Sequence, residues 1–243
     1  MVNVSVCMAT YNGANVVTRQ LRSIVEQLSS LDQIVIVDDR STDDTLKIVK
    51  KNLADFSGEI VIKKNKKNIG PIKSFEQALK FARNDLIFLS DQDDKWYPDK
   101  VAEVSRIYQD KKAAIILHDA RVINGQGQTI DDSWNHYNSN NTDQTVFNNL
   151  MKNGFTGAMM AISKPLLDDA LPFPNNIEMH DQWFFLVAKK NKLPIYTTKK
   201  ILMDYIRYGS NYTGMKKRSK FAMISGRVNM LIDYSRLKRS AEK

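Results

Sequence analysis

Three carboxylates fall within four consecutive positions of the chain, at Asp91, Asp93 and Asp94. They follow the apolar run 86–89 and precede Pro98, a pattern typical of a buried strand that opens into a loop. Carboxylates this close together repel one another unless a cation neutralises them. Mg²⁺ or Mn²⁺, which also holds substrate phosphates, is the hard cation that this chemistry favours. The alternative is a solvated acidic turn that caps the helix after Pro98.

The chain around this loop has the pattern of an α/β protein. Short β-rich runs alternate with helical patterns over about the first 120 residues, which predicts a largely parallel sheet covered by helices on both faces. Ser41 or Thr42 is expected to cap the second helix. The predicted strands are 2–8, 33–37, 59–62, 86–89 and 113–117, and the other predicted helices are 14–28, 72–82 and 100–108.

Hydrogen-bonding and acidic side chains follow each of these predicted strands. Because ligands bind beyond the carboxyl ends of the strands in such sheets, we expect these side chains to gather at one edge. The candidate binding residues at this edge are Thr10, Tyr11, Asn12, Asp38, Asp39, Asn68, Asp91 and Asp119. A single acidic loop is common in proteins, but polar groups after all five strands predict a binding site.

The second half of the chain is less regular. The segment 124–145 is rich in Asn, Gly, Gln, Asp and Ser, and it is interpreted as a long loop or an irregular hairpin. A helix that starts near Glu178 contains His180 and Asp181. Further elements are predicted as a strand at 158–162, a helix at 165–171 and strands at 195–198 and 201–207.

Composition limits the classes of protein that this chain represents. The single cysteine, Cys7, lies in the first apolar run and excludes a disulfide framework or a cysteine-based zinc cluster. The first residues lack the layout of a signal peptide, and no stretch of 18 apolar residues occurs. We therefore expect a protein of the reducing cytoplasm, with any membrane association peripheral at the inner face of the membrane.

The order of these fragments resembles family 2 glycosyltransferases with the GT-A fold, which is Rossmann-like. The matching pieces are Ala9-Thr10-Tyr11-Asn12-Gly13, Val37-Asp38-Asp39-Arg40-Ser41-Thr42-Asp43, Asn68-Ile69-Gly70, Ser90-Asp91-Gln92-Asp93-Asp94-Lys95-Trp96 and His180-Asp181. Within the family, the Ser90–Asp94 form, His180-Asp181 and the segment from Tyr205 to Asn211 resemble a branch with many bacterial polysaccharide rhamnosyltransferases. The resemblance covers roughly residues 1–212.

The resemblance implies a role for each candidate residue. Thr10, Tyr11 and Asn12, with Asp38, Asp39 and Asn68, would hold the nucleotide of a nucleotide-diphosphate sugar donor. Asp91 and Asp93 match the family's Asp-x-Asp pair and would hold Mg²⁺ or Mn²⁺, and Asp94 would cap or brace that loop. Asp181 matches the catalytic base of an inverting transfer to a glycan or polyprenyl-linked acceptor.

Two residues keep two interpretations each at this point. His180 either touches the diphosphate or packs beside the base. Asp119 either lies near the donor sugar or the acceptor, or caps the end of its strand. The resemblance also implies the domain organisation: a nucleotide-sugar half at 1–120, an acceptor and base half at 121–212, and a basic helical tail at 213–243.

The tail carries most of the positive charge. From 216 to 243 nine basic residues face two acidic ones, so nine less two, or +7, of the net charge of +9 falls there. A helix would place Phe221, Ile224, Val228, Leu231 and Ile232 in one apolar stripe flanked by cations. This arrangement favours binding to an anionic membrane surface, and the alternative is a helix packed on the body through Met223 and Met230.

Two other functions are compatible with parts of this pattern. Nucleotidyl transfer to sugar phosphates also uses such a sheet and a metal, but it favours a glycine-rich phosphate loop with a basic residue, which 9–13 lacks. A non-catalytic nucleic-acid or membrane binder would explain the charge alone. Because the presumed site is acidic, it would repel phosphate backbones, and we expect no nucleic-acid partner.

Overall fold

The sheet is the framework on which the site is built. The computed structural model describes residues 2–208 and 220–237, without side-chain detail at 220–224. These residues form a nine-stranded sheet. Its strands are β1 (Val4–Thr10), β2 (Gln33–Asp38), β3 (Glu59–Lys64), β4 (Leu86–Ser90), β5 (Lys95–Trp96), β6 (Ile115–Asn124), β7 (Thr129–Asp131), β8 (Met160–Ser163) and β9 (Ile195–Arg207).

Most of the strands run in one direction. β3, β2, β1 and β4 lie side by side in that order and pair in parallel, and β6 and β9 also pair in parallel. β8 lies between β4 and β6 and is antiparallel to both, while β5 and β7 pair antiparallel with β9 and β6. The predicted α/β fold with a mostly parallel sheet is confirmed.

Helices cover the sheet, and their apolar spacing explains how they attach. They are α1 (Val17–Val25), α2 (Thr45–Asn52), α3 (Pro71–Leu79), α4 (Lys100–Lys111), α5 (Trp134–Tyr137), α6 (Val146–Met151), α7 (Lys164–Ala170), α8 (His180–Lys190) and α9 (Lys220–Arg236), with a 3₁₀ turn at Gly157–Met159. α1 buries Val17, Leu21 and Ile24, which recur at the spacing of one helix face. α8 is buried from His180 to Ala188 because α6, α7 and α9 all pack against it.

The fifth predicted strand is longer than the sequence pattern indicated. β6 continues to Asn124, so Asp119 lies inside the strand, where its pairing with β9 is irregular. The expectation that Asp119 follows the strand was wrong. A polar pair such as His118-Asp119 resembles a strand end in sequence, but here both side chains are buried and hydrogen-bonded within the sheet.

Other boundaries differ for local reasons. α2 begins at Thr45 rather than after Ser41, because the Ser41 side chain bonds to Asp38 instead of capping the helix. The segment 124–145 contains β7 and α5, and β7 forms a hairpin with β6. The two strands predicted at 195–198 and 201–207 are one strand, β9. The two-residue strand β5 was not predicted, since it is too short to show alternation.

α9 packs on the body through one face only. Met230 is fully buried, in agreement with the packing alternative for this helix. Val228, Leu231 and Ile232 are 49%, 53% and 40% exposed, so this part of the predicted apolar stripe lies at the surface. The side chains of 220–224 and all of residues 209–219 lie outside the described residues.

Among residues 2–208 and 220–237, no helix combines the length and the apolar character needed to cross a bilayer.

Candidate functional site

The carboxyl ends of β1, β2 and β4 meet at one edge of the sheet. Register pairs Thr10 with Asp38 across β1 and β2, and Met8 with Ser90 across β1 and β4. The loops that follow these strands are therefore neighbours, as expected for parallel strands. The first three candidate segments, at 10–12, 38–39 and 91–94, are brought together by this register.

Asp38 fastens the loop that follows β2. Its carboxylate accepts hydrogen bonds from the Thr10 hydroxyl at 3.1 Å and from the backbone N–H and hydroxyl of Ser41. The Ser41 hydroxyl oxygen in turn accepts the N–H of Asn12 at 2.9 Å. Asp38 is fully buried, so its immediate effect is to shape this edge of the site.

Asp39 fastens a second loop, the one that carries Asn68. Its two carboxylate oxygens accept hydrogen bonds from the Asn65 amide at 2.8 Å, the Ile69 N–H at 2.9 Å and the Gly70 N–H at 2.8 Å. The Asn68 amide reaches the Asp39 carbonyl at 3.4 Å. Gly70 has a φ of +82°, a conformation that a side chain would strain, so this loop depends on glycine.

Tyr11 and Asn12 form the exposed part of this edge. The Gln92 side chain holds the backbone of Tyr11, accepting its N–H at 2.9 Å and donating to its carbonyl at 3.0 Å. The Tyr11 side chain is 48% exposed. Asn12 adopts a φ of +46°, and its side-chain oxygen accepts the Thr42 N–H at 2.9 Å. The edge therefore offers a half-exposed aromatic side chain on a loop that hydrogen bonds hold in place.

The acidic loop after β4 is held from outside by Arg19 of α1. The guanidinium donates to the carbonyl oxygens of Asp93 and Asp94, the second at 3.2 Å. One oxygen of the buried Asp94 carboxylate accepts the Ile206 N–H at 3.2 Å, so Asp94 braces the loop against β9, as expected. Its other oxygen is buried without a hydrogen-bond partner among the described residues.

The carboxylates of this loop repel one another. Burial, then the charges of Asp93 and Asp181, raises the pKa of Asp91 to about 7. Burial likewise raises the pKa of Asp93, and it raises that of Asp94 well above the ordinary range, with Asp93 and Asp91 adding to the effect. Without a bound cation the loop is therefore electrostatically destabilised.

One cation lies beneath the loop, at Lys100 of α4. Its ammonium donates to the Ala158 carbonyl at 3.0 Å and lies 4.0 Å from the centre of the Trp96 ring. Burial lowers the pKa of Lys100 well below its usual value, while Asp94 and Asp91 act in the opposite direction. Lys100 is only 1% exposed, which is rare for a lysine, and its charge offsets part of the repulsion in the loop.

Asp181 lies in the first turn of α8 and faces this loop. Its carboxylate accepts hydrogen bonds from the Gly157 N–H at 3.0 Å, the Asn153 amide at 2.9 Å and the Gln182 N–H at 2.6 Å. Burial nevertheless raises the pKa of Asp181. A carboxylate with a raised pKa beside the acidic loop has the chemistry of a general base.

His180 is buried beside Asp181 but does not bond to it. Its ring stacks on Phe75 with centroids 4.5 Å apart, and neither ring nitrogen has a hydrogen-bond partner among the described residues. Burial lowers its pKa, so the ring is neutral at neutral pH. A Cβ on Gly157 would lie 2.8 Å from the His180 Nε2, so the ring fills the space that this glycine leaves open.

The Asp119 carboxylate connects β6 to the segment that contains α5. One carboxylate oxygen accepts the Ala120 N–H at 2.8 Å and the Asn135 N–H at 3.2 Å, and the other accepts the Ser133 hydroxyl at 2.6 Å. These bonds tie the segment that contains α5 to the middle of β6. The strand-cap interpretation fails because the strand continues, and the observed contacts instead make Asp119 an anchor for this segment.

The residues present fit a divalent cation that also contacts substrate. Among residues 2–208 and 220–237, no group of three or more His, Cys, Asp or Glu side chains is arranged to hold a metal by itself. Mg²⁺ commonly takes only one or two protein carboxylates and completes its shell with phosphate oxygens and water. Because Asp93 raises the pKa of Asp91, a cation bound there would relieve a repulsion that the protein does not resolve.

Sequence reasoning missed four residues of this site. Arg19 and Gln92 bond to its loops, Asn153 bonds to Asp181, and Lys100 interacts with Asp94 and Asp91 through its charge. Gln92 lies within the motif itself, so its position was a usable signal. The other three carry no local signal, because an arginine or lysine on a helix and an asparagine in a polar segment are normally solvated.

The family comparison is clear. A sequence model described as glycosyl transferase family 2 matches residues 5–171 of this chain.

Curated relatives extend this match. The dTDP-rhamnosyl transferase RfbG of Shigella flexneri is 29% identical over 222 residues, covering 85% of this chain and 73% of RfbG. The abequosyltransferase RfbV of Salmonella typhimurium is 30% identical over 120 residues, 49% of this chain and 36% of RfbV. An uncharacterized glycosyltransferase of Nostoc, alr2836, is 28% identical, and the match spans only 39% of its length.

Solved structures confirm the GT-A fold. TarS (residues 1–349) of S. aureus in complex with UDP-GlcNAc has a TM-score of 0.73 at 20% identity, covering 95% of this chain and 66% of that one. The mannosyltransferase PcManGT of Pyrobaculum calidifontis, in complex with GDP-Man and Mn²⁺, has a TM-score of 0.64 at 18% identity, covering 96% and 63%. At these identities the likeness concerns the fold.

Proposed function

The chain belongs to glycosyl transferase family 2, and on that premise we propose that it is an inverting, metal-dependent enzyme of bacterial cell-surface polysaccharide synthesis. It transfers a sugar from a nucleotide-diphosphate donor to a glycan or lipid-linked acceptor. The observation that carries this proposal is the acidic loop and Asp181 in one site, close enough that the charge of Asp181 raises the pKa of Asp91.

The donor occupies the edge formed by β1, β2 and β4. Tyr11 and Asn12 face the base and ribose, with Thr10, Asp38 and Asp39 behind them. The structure supports this arrangement through the exposed Tyr11 ring and the rigid loops fastened by Asp38 and Asp39. Asn68 lies at the same edge, since its amide is bonded to the Asp39 carbonyl.

Asp91 and Asp93 hold Mg²⁺ or Mn²⁺ together with the donor diphosphate. When bound, the cation supplies positive charge that offsets the negative charge growing on the departing diphosphate. Arg19 fixes the loop through the carbonyl oxygens of Asp93 and Asp94, and the buried Lys100 lies close enough to Asp94 and Asp91 for their charges to interact. His180, whose ring nitrogens have no partner among the described residues, is available to donate a hydrogen bond to the diphosphate.

Asp181 removes the proton from the acceptor hydroxyl. The hydroxyl oxygen attacks the anomeric carbon from the face opposite the diphosphate, the new C–O bond forms as the bond to the diphosphate breaks, and the configuration inverts. The raised pKa of Asp181 supports this role, because a base is effective when its pKa lies close to the working pH.

We further propose a deoxyhexose, rhamnose, as the donated sugar. The support is the relation to RfbG, which covers 85% of this chain, together with the motif forms that led to the same branch.

Donor binding is the experiment that tests the function. The melting temperature of the protein should rise with a nucleotide-diphosphate sugar plus Mn²⁺, and the same sugar with a chelator should give a smaller rise. A panel that varies base and sugar, with dTDP-rhamnose against UDP-glucose as a matched pair, identifies the donor. No response to any nucleotide sugar under either condition would reject the proposed function.

The tail adds a membrane contact to this proposal. Val228, Leu231 and Ile232 are exposed on α9 within a segment of charge +7, which favours an anionic lipid surface. Each cation near such a surface contributes about 1 kcal/mol. Leu231→Ser together with Ile232→Ser should reduce sedimentation with anionic vesicles and leave donor binding unchanged.

Two comparisons make the vesicle experiment decisive. Leu31→Ser with Ile130→Ser removes two exposed apolar side chains from elsewhere in the body and serves as the matched control. Sedimentation of the wild type should fall with rising salt, because exposed charges are screened. Equal vesicle binding by the α9 variant and the wild type would exclude this surface as a membrane contact.

A further inference from the structure

The hydrogen bonds of Asp181 are divided unequally between its two oxygens. Oδ1 accepts two, from the Asn153 amide at 2.9 Å and from the Gln182 N–H at 2.6 Å. Oδ2 accepts one, from the Gly157 N–H at 3.0 Å. A carboxylate oxygen has two lone-pair sites, so Oδ1 is fully used and Oδ2 retains one.

We propose that Asn153 is a positioning residue that fills Oδ1 of Asp181 and thereby directs the acceptor proton to Oδ2. The proposal rests on the function of Asp181 as the base. Proton transfer then has one geometry: the acceptor O–H bond breaks, a new O–H bond forms on Oδ2, and Oδ1 stays bonded to Asn153 and Gln182. Fixing one receiving atom restricts the acceptor to one approach.

The orientation of the Asn153 amide is determined by its other partners. Its oxygen accepts the Phe155 N–H at 3.0 Å and the Asn149 amide at 3.3 Å. A backbone N–H can only donate, so the amide oxygen must face Phe155 and the amide nitrogen must face Asp181. The fold therefore determines that the amide nitrogen of Asn153, and not its oxygen, faces Oδ1 of Asp181.

A chain of amides supports Asn153 from behind. Asn149 is fully buried on α6 and also donates to Gln144 at 2.9 Å. The Gln182 side chain of α8 donates to the Asn149 carbonyl at 2.7 Å, which joins α6 to the helix of the base. Asn153 lies in the loop that follows α6, and hydrogen bonds that involve both α6 and α8 hold it against Asp181.

Two titratable groups face Asp181 in the described part of the chain. His180 precedes it on α8, and Asp91 faces it from the loop after β4. The Asn153 amide stabilises the charged form of Asp181, so losing it should raise the pKa of the base. The acidic limb of the pH profile of kcat/KM should then move to higher pH.

The test compares Asn153→Ala and Asn153→Asp with the wild type. Asn153→Ala should lower kcat on the order of tenfold or more, keep the KM for the donor, and move the acidic limb to higher pH. Asn153→Asp keeps the size of the side chain but replaces the donor by a like charge, so it should move the limb further in the same direction. Because it is isosteric, Asn153→Asp carries the test if the alanine variant folds poorly.

Asn191→Ala is the matched control, since the Asn191 amide donates to Asp169 at 2.9 Å at the other end of α8. It should leave kcat and the pH profile unchanged. Wild-type kcat and an unmoved acidic limb in both Asn153 variants would overturn the proposal. If Asp181→Asn itself retained normal turnover, the base assignment, and with it the proposed mechanism, would fail instead.

Discussion

Two groups of carboxylates lie at the same edge of the sheet, and they differ in their partners. Asp38 and Asp39, which follow β2, accept three protein hydrogen bonds each. Asp91 and Asp94, which follow β4, repel one another, and one buried oxygen of Asp94 has no partner in the part of the chain that is described. In the first group both oxygens of each carboxylate accept protein hydrogen bonds, whereas in the second one buried oxygen accepts none from the described residues.

This difference separates residues that build the site from residues that act in it. A buried polar group without a partner costs free energy, so it persists where function requires it. Asp38 and Asp39 are satisfied by the loops that they fasten. Asp91 is left with a raised pKa in the ligand-free protein, which is the condition that a divalent cation and a diphosphate would relieve.

The largest effect is expected at Asp181, the proposed base. Asp181→Asn should keep the fold and the donor affinity while lowering the transfer rate on the order of 10²-fold to 10⁴-fold, because the acceptor proton loses its receiver. Steady-state transfer and donor titration measure the two quantities separately. Turnover close to that of the wild type would show that another group takes the proton.

The next effect concerns Asp93, in the loop after β4. Asp93→Asn removes a proposed ligand of the cation, so it should weaken donor binding in the presence of Mn²⁺. Loss of an outer-shell partner of a metal costs roughly 10- to 100-fold in affinity, and the loss here should be at least that large. In chelator the variant and the wild type should bind donor with similar, weaker affinity. Calorimetric titration under both conditions checks this, and an Mn²⁺ effect of equal size in both proteins would remove Asp93 from the metal site.

Substitutions at Asp38 and Asp39 should change the free energy of unfolding rather than the dependence of donor binding on metal. Asp39→Asn replaces one acceptor oxygen by an N–H₂ group and leaves a backbone N–H of Ile69 or Gly70 unpaired, at a cost of about 1–3 kcal/mol. Denaturant unfolding measures the loss. The exposed Asp55→Asn is the control and should unfold as the wild type does. An unchanged unfolding free energy in Asp39→Asn would break the distinction between the two groups.

The smallest effect has the opposite sign. The pKa of Asp91 is about 7 in the folded protein against an ordinary value of 3.8, so the folded state binds more protons and its stability falls as pH rises from about 4 to about 7. In chelator, Asp91→Asn should be more stable than the wild type at pH 7, with a higher Tm, because the asparagine carries no charge that burial and the neighbouring acids disfavour. The two proteins should converge near pH 4.

Thermal unfolding across this pH range provides the check. A wild type that is as stable as Asp91→Asn at every pH would mean that the acidic loop is not strained. Mn²⁺ with donor should reverse the order at pH 7, because only the wild type gains the bound cation.

Much of the fold could be predicted from the sequence. The strands β1 to β4 and the helices between them follow from apolar runs and helical spacing, and their boundaries lie within a few residues of those predicted. The second half was less readable. His118 and Asp119 are polar residues inside β6, and only their hydrogen-bond partners, such as Ser133, 14 positions further along the chain, make that placement stable.

The site was readable to a different extent. The motifs placed Asp91, Asp93 and Asp181 in advance, and the structure brings the acidic loop and Asp181 into electrostatic contact. The motifs did not distinguish Asp38 and Asp39, whose carboxylates accept hydrogen bonds on both oxygens, from Asp91, whose pKa is raised by burial and by neighbouring acids. That distinction depends on partners 3 to 31 positions away, such as Ser41 and Gly70.

By itself, the sequence determined the order of the elements and the identity of the acids at the sheet edge, because apolar periodicity and motif spacing are local properties. Only the tertiary structure decided which of these acids are satisfied, that Lys100 lies buried beneath the loop, and that Asn153 bonds to Asp181. Those outcomes depend on burial and on hydrogen bonds between segments far apart in the chain. No local pattern records such contacts, since each partner alone is an ordinary polar residue.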